Sequence, residues 1–436
     1  MTAVTGPEQD VPTTPAPNTP APTTPAPNTE GTADPVVDVP HAGALLTVTG
    51  ADRPGVTARL FAALAVLPAL EVVDVEQVVV HGQLVLGVVV QEHGADDDAA
   101  LVARLRPVAA RVGDEAGVQV LVEPAAGATG LVADGVRRHH VIVLGRPVPP
   151  EAVGGAARAI ADVGGNIDAI RRLSDYPVTS FELTVSGAEA APLRAALGAV
   201  AAATGADVAV EQVGLARRNK RLIVLDVDST LVRGEVIDEL AARAGRAAEV
   251  GRITAAAMNG ELDFEQSLRA RVAALAGLPV SVLDEVREHL VLTPGARTLI
   301  RTLQRLGFRC GIVSGGFTQI TDPLAASLGL DFAAANTLEV ADGVLTGGLV
   351  GEIVDRPGKA RALARFAAEF GVPLDQTVAV GDGANDLDML AAAGLGIAFN
   401  AKPFVREQAH TALNQPYLDA VLQVLGFTRD EVLDAV

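Results

Sequence analysis

The chain has 436 residues, room for about three domains, and is 49% hydrophobic but only 3% aromatic with no Trp, so its cores must be built from Ala, Val and Leu. Its 53 acidic against 34 basic residues leave a formal charge of −19, which argues against nucleic-acid and anionic-membrane partners, since both need basic patches. A single cysteine, Cys310, excludes an intrachain disulfide and a cysteine-based zinc site. Apolar runs stop well short of the roughly 18 residues of a membrane span, and no basic-then-apolar signal segment is read at the N-terminus, so a reducing cytoplasm is the expected compartment.

Residues 1–40 are of low complexity, with TTPAPNT at 13–19 and again at 23–29. Such a Thr/Pro/Ala-rich stretch has little to bury and is expected to be a disordered tail. From 41 to about 125 the pattern changes: ALLTVTG reads as a strand, VTARLFAALAVL as a helix, and EVVDVEQVVVHGQLVLGVVV as two strands turning at His81-Gly82. ADDDAALVARLRPVAARVG reads as a helix and VQVLVEP as a closing strand, which completes a β-α-β-β-α-β order. The same order recurs over 136–215, from HHVIVLG to ADVAVEQV, and indicates an internal repeat. Here His139 and His140 are expected at the surface, and the basic run Arg217–Arg221 reads as a solvated linker.

Both units resemble the ACT domain, a ferredoxin-like module that often senses amino acids. The first carries the loop Asp52-Arg53-Pro54-Gly55; the second has Gly145-Arg146-Pro147 without the Asp, but keeps the turn Gly164-Gly165-Asn166-Ile167. The resemblance implies a homodimer formed through these units, and an amino-acid effector such as L-serine.

Over 220–436 strands alternate with helices, the pattern of a parallel sheet covered on both faces. In such sheets active sites collect beyond the carboxyl ends of the strands. LIVLD ends in Asp226-x-Asp228, RCGIVSGG ends in Ser314-Gly315-Gly316, TVAVGDGAND carries Gly381–Asp386, and Lys359 opens the helix between the last two. Acids gathered without a cation repel one another; oxygen-only ligands favour a hard divalent ion, Mg²⁺. One carboxylate can then attack a phosphoryl group while a second holds a proton for the leaving oxygen, with Lys359 and backbone amides near Ser314 neutralising the equatorial oxygens. The rival motifs fail. Gly351 stands six residues from Gly358-Lys359 rather than the four of a Walker loop, the calcium-loop glycine and final Glu are missing, and Ser314 has no G-x-S-x-G setting. Cys310, in an apolar segment, reads as a core residue.

Together Asp226-Val227-Asp228-Ser229-Thr230, Ser314-Gly315, Lys359 and Gly381-Asp382-Gly383-Ala384-Asn385-Asp386 resemble the four motifs of the haloacid dehalogenase superfamily. Within it, DVDSTLVRGEVIDELA and the insert before Thr293-Pro294-Gly295 are similar to the phosphoserine phosphatase family. The resemblance implies an α/β fold, a Rossmann-like core with a parallel sheet and a small helical cap at about 240–292. It implies hydrolysis of O-phospho-L-serine, the final step of L-serine biosynthesis, with Asp226 as nucleophile and Asp228 as proton donor. Mg²⁺ would be held by Asp226, Asp228 (through its carbonyl) and Asp382. Glu235 would meet the substrate ammonium and Arg271 its carboxylate, with Arg269 as the rival on the same helix. Ser314, Gly315, Lys359 and Asn385 would hold the phosphate side, Met258 and Phe264 would line the cap, and Asp386 and Asp388 would support the metal loop. Two alternatives stay open: a phosphatase for another small phosphomonoester, and an amino-acid-sensing protein with an idle phosphatase fold.

Overall fold

The computed structural model describes residues 41–95, 97–125 and 137–434; the stretch 1–40 read as a tail lies outside the described residues. The chain divides into two compact units, Met1–Asp134 and Gly135–Val436.

In the first unit, β1 (His41–Ala51), β2 (Leu70–Val80), β3 (Gln83–His93) and β4 (Val118–Pro124) form an antiparallel sheet in the order β2-β3-β1-β4. Alternate residues of β1, Ala42, Ala44, Leu46 and Val48, are fully buried against the helices Val56–Leu64 and Asp98–Ala116. That period of two is what a one-sided sheet requires. The longer helix starts where the Asp97 side chain accepts a hydrogen bond from Ala100 N–H and stops at Gly117, whose φ of 66° suits a residue without Cβ. β2 carries exposed Val72, Val73, Val75, Val78, Val79 and Val80.

The second unit opens with the same topology. β5 (Arg138–Gly145), β6 (Asn166–Ser174), β7 (Thr179–Ser186) and β8 (Asp207–Gln212) are ordered β6-β7-β5-β8. Here β5 is covered on both faces. Val141 and Val143 pack under the helices Pro150–Asp162 and Ala190–Thr204, while Ile142, Leu144, Leu173 and Ala209 join the core that also holds Leu225 and Val380 of the next sheet. Polar contacts secure the same seam. The Asp207 carboxylate accepts from Asn414 N (2.7 Å), Asn414 Nδ2 (2.6 Å) and Gln415 Nε2 (3.1 Å). Buried Arg217 pairs with buried Glu182 and donates to the Val424 carbonyl (3.0 Å). Lys220 Nζ donates to the Asp375 carbonyl (2.6 Å).

These contacts correct two expectations. The basic run is not a solvated linker, because Arg217 and Lys220 are buried with polar partners at this seam. His139 is not a surface residue: it is 4% exposed, and its Nε2 donates to the Ala188 carbonyl at 3.2 Å.

The larger sheet comprises β9 (Leu222–Leu225), β10 (Arg309–Phe317), β11 (Phe332–Ala341), β12 (Val344–Val350), β13 (Thr377–Gly381), β14 (Leu395–Phe399) and β15 (Thr411–Leu413), in the order β12-β11-β10-β9-β13-β14-β15. All pairings are parallel except β11 with β12. β9 is central and wholly buried: Ile223 and Leu225 enter one core, Leu222 and Val224 the other. This explains an unbroken apolar run rather than an alternating one. Cys310 is buried in β10, and burial pushes its thiol up to about 12, out of nucleophilic range.

Between β9 and β10 the chain builds a cap from the helices Val236–Arg243, Ala247–Met258, Phe264–Ala273 and Ser281–His289. Leu240, Val250, Leu268 and Leu275 are buried in its core. Asp263 and Gln266 close a reciprocal capping box at the start of the third helix. The two strands of chain entering and leaving the cap pair with each other at Val232 and Leu292.

Candidate active site

β9 delivers Asp226 to the carboxyl edge of the sheet, where the chain turns at once. Leu231 N–H returns to the Asp226 carbonyl (3.3 Å), and Val232 N–H to Val227 (2.9 Å). Ser229 sits at φ 58°, a left-handed conformation that tightens this turn. The turn fixes Asp228 beside the first cap helix: its Oδ1 accepts from Val236 N–H at 2.8 Å, and its Oδ2 lies 3.4 Å from Ser314 Oγ.

Lys359, fully buried on the helix Arg356–Glu369, donates to Asp226 Oδ1 (2.5 Å) and Asp386 Oδ1 (2.6 Å). Asp386 also accepts from Gly383 N–H (2.9 Å). Asp382 accepts from Thr230 Oγ1 (3.2 Å), and Thr230 is held in turn because its carbonyl accepts from Thr293 Oγ1 (2.6 Å). One carboxylate oxygen each from Asp226, Asp382 and Asp386 lies within 4.8 Å of the others.

Two of these acids share one ammonium, and the third lies beside them. Burial and the Asp386 charge raise the Asp226 pKa well above the carboxylate range, with Lys359 only partly opposing them. Burial works against the Lys359 charge, but Asp226 and Asp386 outweigh it and raise its pKa. Burial and then Asp386 push Asp382 up to about 6. The surplus of negative charge on hard oxygen donors fits a divalent cation held by this cluster.

The crevice above is lined by Asp226, Asp228, Glu235, Phe264, Arg271, Gly315, Gly316, Asp382 and Asn385, with Ile237, Leu268 and Phe317 as its apolar wall. Glu235 keeps an accessible surface at the open side, yet protein encloses it elsewhere; that enclosure, then Asp228 and Asp382, pushes its pKa up to about 7. Ser229 Oγ donates to it at 3.2 Å. Arg271 lies on the cap helix with its Nε 3.4 Å from the Ser267 carbonyl, and burial lowers its pKa against the pull of Glu235. Arg269 instead pairs with Glu265 at the surface (2.8 Å). Of the residues singled out in the sequence, Ser314 and Lys359 stand behind the crevice wall, both fully buried. Met258 ends its helix, and its side chain lies outside what is described. Asp388 pairs with Arg356 at the surface (2.6 Å). Asp386 enters the acidic cluster itself. Thr230 and Gly316 lie within the quoted motifs but carry no role in the sequence reading; the structure sets Thr230 against Asp382 and puts Gly316 in the crevice wall.

The fold and site define a haloacid dehalogenase-like hydrolase, and residues 223–391 match that family. Residues 43–119 and 137–211 each match the ACT domain. The chain is 56% identical to the phosphoserine phosphatase of Streptomyces coelicolor, over 92% of this chain and 96% of that protein. It is 57% identical to phosphoserine phosphatase SerB2 of Mycobacterium tuberculosis, over 89% of this chain and 94% of that one. A solved haloacid dehalogenase family hydrolase from Salmonella enterica serovar Typhi superposes with a TM-score of 0.57 at 28% identity, covering 66% of this chain and 98% of its own. The chain belongs to the phosphoserine phosphatase family and is an enzyme.

Proposed function

We propose that the chain hydrolyses O-phospho-L-serine to L-serine and inorganic phosphate, as the final step of L-serine biosynthesis. The observation that carries this reading is one crevice holding two kinds of recognition: the Asp226–Asp228 pair for the phosphate ester, and an acid and a base, Glu235 and Arg271, for an amino acid. A zwitterion needs both. Glu235, pushed up to about 7 by burial and then by Asp228 and Asp382, gains a counter-charge from a substrate ammonium.

Asp226 and Asp382, with the Asp228 carbonyl, would hold Mg²⁺, which when bound offsets the charge on the phosphoryl oxygens. The Asp226 carboxylate attacks phosphorus, the ester P–O bond breaks, and the seryl oxygen takes a proton from Asp228. An aspartyl-phosphate remains on Asp226. Asp228, now ionised, takes a proton from water as that water attacks phosphorus; phosphate leaves and the Asp226 carboxylate is restored. Burial raises the Asp228 pKa, which supports its holding a proton, while the Val236 N–H bond opposes the shift and aims the group. Lys359 keeps Asp226 in place, Gly315 and Asn385 face the phosphate side with Ser314 behind them accepting from Gly316 N–H, and Phe264 stands on the cap side.

We place the enzyme in the cytoplasm; among the described residues no helix is long and apolar enough to cross a membrane. The ACT domains are assigned to homodimerisation and to binding an amino-acid effector, with L-serine as the first candidate.

The test is phosphate release by the purified full chain from phosphoserine and a panel of small phosphate esters, with and without Mg²⁺. Selective Mg²⁺-dependent turnover of phosphoserine, abolished in Asp226→Asn, is expected. A flat substrate profile points to another phosphomonoester, and no release at all points to an idle fold.

A further inference from the structure

Asn336 is 2% exposed, lies in β11, and does not line the crevice. Its side chain makes two hydrogen bonds to remote backbone. Nδ2 donates to the Gly315 carbonyl at 2.8 Å, and Oδ1 accepts from Val354 N–H at 2.8 Å.

Each partner belongs to a segment that carries part of the site. β10 and β11 pair in register to Val313 and Ala334, then resume at Phe317 and Asn336, so three residues of β10 stand opposite one of β11. Ser314, Gly315 and Gly316 bulge out of the ladder there, and their backbone groups need other partners. Gly316 N–H takes Ser314 Oγ (2.8 Å), and the Gly315 carbonyl takes Asn336. Val354 lies just ahead of Asp355, whose side chain caps the helix Arg356–Glu369 by accepting from Gly358 N–H (2.7 Å). That helix carries Lys359.

We propose that Asn336 is a positioning residue that couples the Ser314–Gly316 bulge to the start of the Lys359 helix, so that the bulge lining the crevice and the helix that holds Asp226 through Lys359 are set as one piece. The assignment rests on the phosphatase reading of the site. An amide is the side chain that suits the place, since it offers one donor and one acceptor in a fixed plane. Alanine loses both bonds. An ionised aspartate keeps the acceptor for Val354 but sets a carboxylate against the Gly315 carbonyl. A protonated aspartate regains the donor.

The experiment compares the full chain with Asn336→Ala and Asn336→Asp. The readouts are kcat and KM for phosphoserine, inhibition by orthovanadate and by L-serine, and thermal melting. Expected is a kcat loss of roughly 10- to 100-fold in Asn336→Ala, the scale of a small misplacement of reacting groups. Vanadate inhibition weakens while L-serine inhibition holds. The ratio of kcat in Asn336→Asp to that in Asn336→Ala rises as pH falls, because only the aspartate can be protonated into the missing donor. Equal weakening of vanadate and L-serine, or a lowered melting temperature with unchanged kcat, overturns the proposal by reducing Asn336 to a packing residue. If the variants do not fold, hydrogen exchange on the parent decides: vanadate must protect 312–317 and 351–357 together, and protection of one without the other refutes the coupling. A parent that binds vanadate without turning over phosphoserine overturns the substrate reading alone, and the vanadate comparison still tests Asn336.

Discussion

Lys359 Nζ lies 2.5 Å from Asp226 Oδ1, and both side chains are buried. The same ammonium serves Asp386 at 2.6 Å. Removing it leaves three carboxylates together with no internal cation. Lys359→Met keeps the volume and deletes the charge, so the full chain should lose roughly 3–5 kcal/mol of stability, the usual cost of orphaning a buried ion. Added Mg²⁺ should restore part of it by binding the folded state. Urea unfolding with and without Mg²⁺ measures both; parent-like stability without Mg²⁺ would contradict the arrangement.

Arg271→Ala should raise KM for phosphoserine by roughly 10- to 100-fold, the value of a lost hydrogen bond to a charged group, and erase its preference over simple phosphate esters. Arg269→Ala, two residues away, should change KM little, because its partner Glu265 is a surface neighbour. Equal effects in the two variants would mean that the crevice does not grip a carboxylate.

Gly316 sits where an added Cβ meets Ser314 Oγ at 3.0 Å and Asp228 Oδ2 at 3.2 Å. Gly316→Ala should therefore push Ser314 Oγ and Asp228 aside by a few tenths of an ångström and lower kcat by about 10-fold with the melting temperature little changed. Gly198→Ala is the control. It lies in the helix Ala190–Thr204 with nothing within 4 Å of a new Cβ, and should stabilise by about 0.5–1 kcal/mol. Normal kcat in Gly316→Ala would detach Asp228 from the reaction.

The seam beside β7 has its own pH signature. Burial works against the Glu182 charge, but the Arg217 hydrogen bond and charge, with His140 and Arg171, outweigh it and lower its pKa. A depressed acid stabilises the fold above its unfolded value, about 4.3, and that contribution is lost as pH falls through the folded value. Arg217→Ala should then cost most near pH 7, roughly 3–5 kcal/mol, and progressively less toward pH 4, where Glu182 can take up a proton. Urea midpoints across that range give the answer; a loss independent of pH would mean that Arg217 acts by packing alone.

What the sequence disclosed divides along physical lines. Strand ends bearing Asp226, Ser314 and Asp382 were readable because apolar runs closed by acids and glycines are local patterns. The burial of Arg217 and Lys220 was not, since their partners, Glu182, Val424 and Asp375, lie 35 to 207 residues away. Asn336 gave no local signal at all, because its role is a pair of remote backbone bonds. The covered face of β5 does leave a local trace. HHVIVLG is continuously apolar after its histidines where ALLTVTG alternates, and a run of that kind belongs to a strand covered on both sides.

That difference sets how freely the two ACT copies tolerate change. In the first, Leu45, Thr47 and Thr49 of β1 keep partial access to water, so random polar substitutions there should survive selection. In the second, Ile142 and Leu144 share a core with the strand that leads into Asp226, so the same substitutions should be purged for disturbing the crevice. Two modules of one topology thus differ at their central strand: β1 of the first keeps a side open to water on which new contacts can be sampled, whereas β5 of the second is committed on both sides.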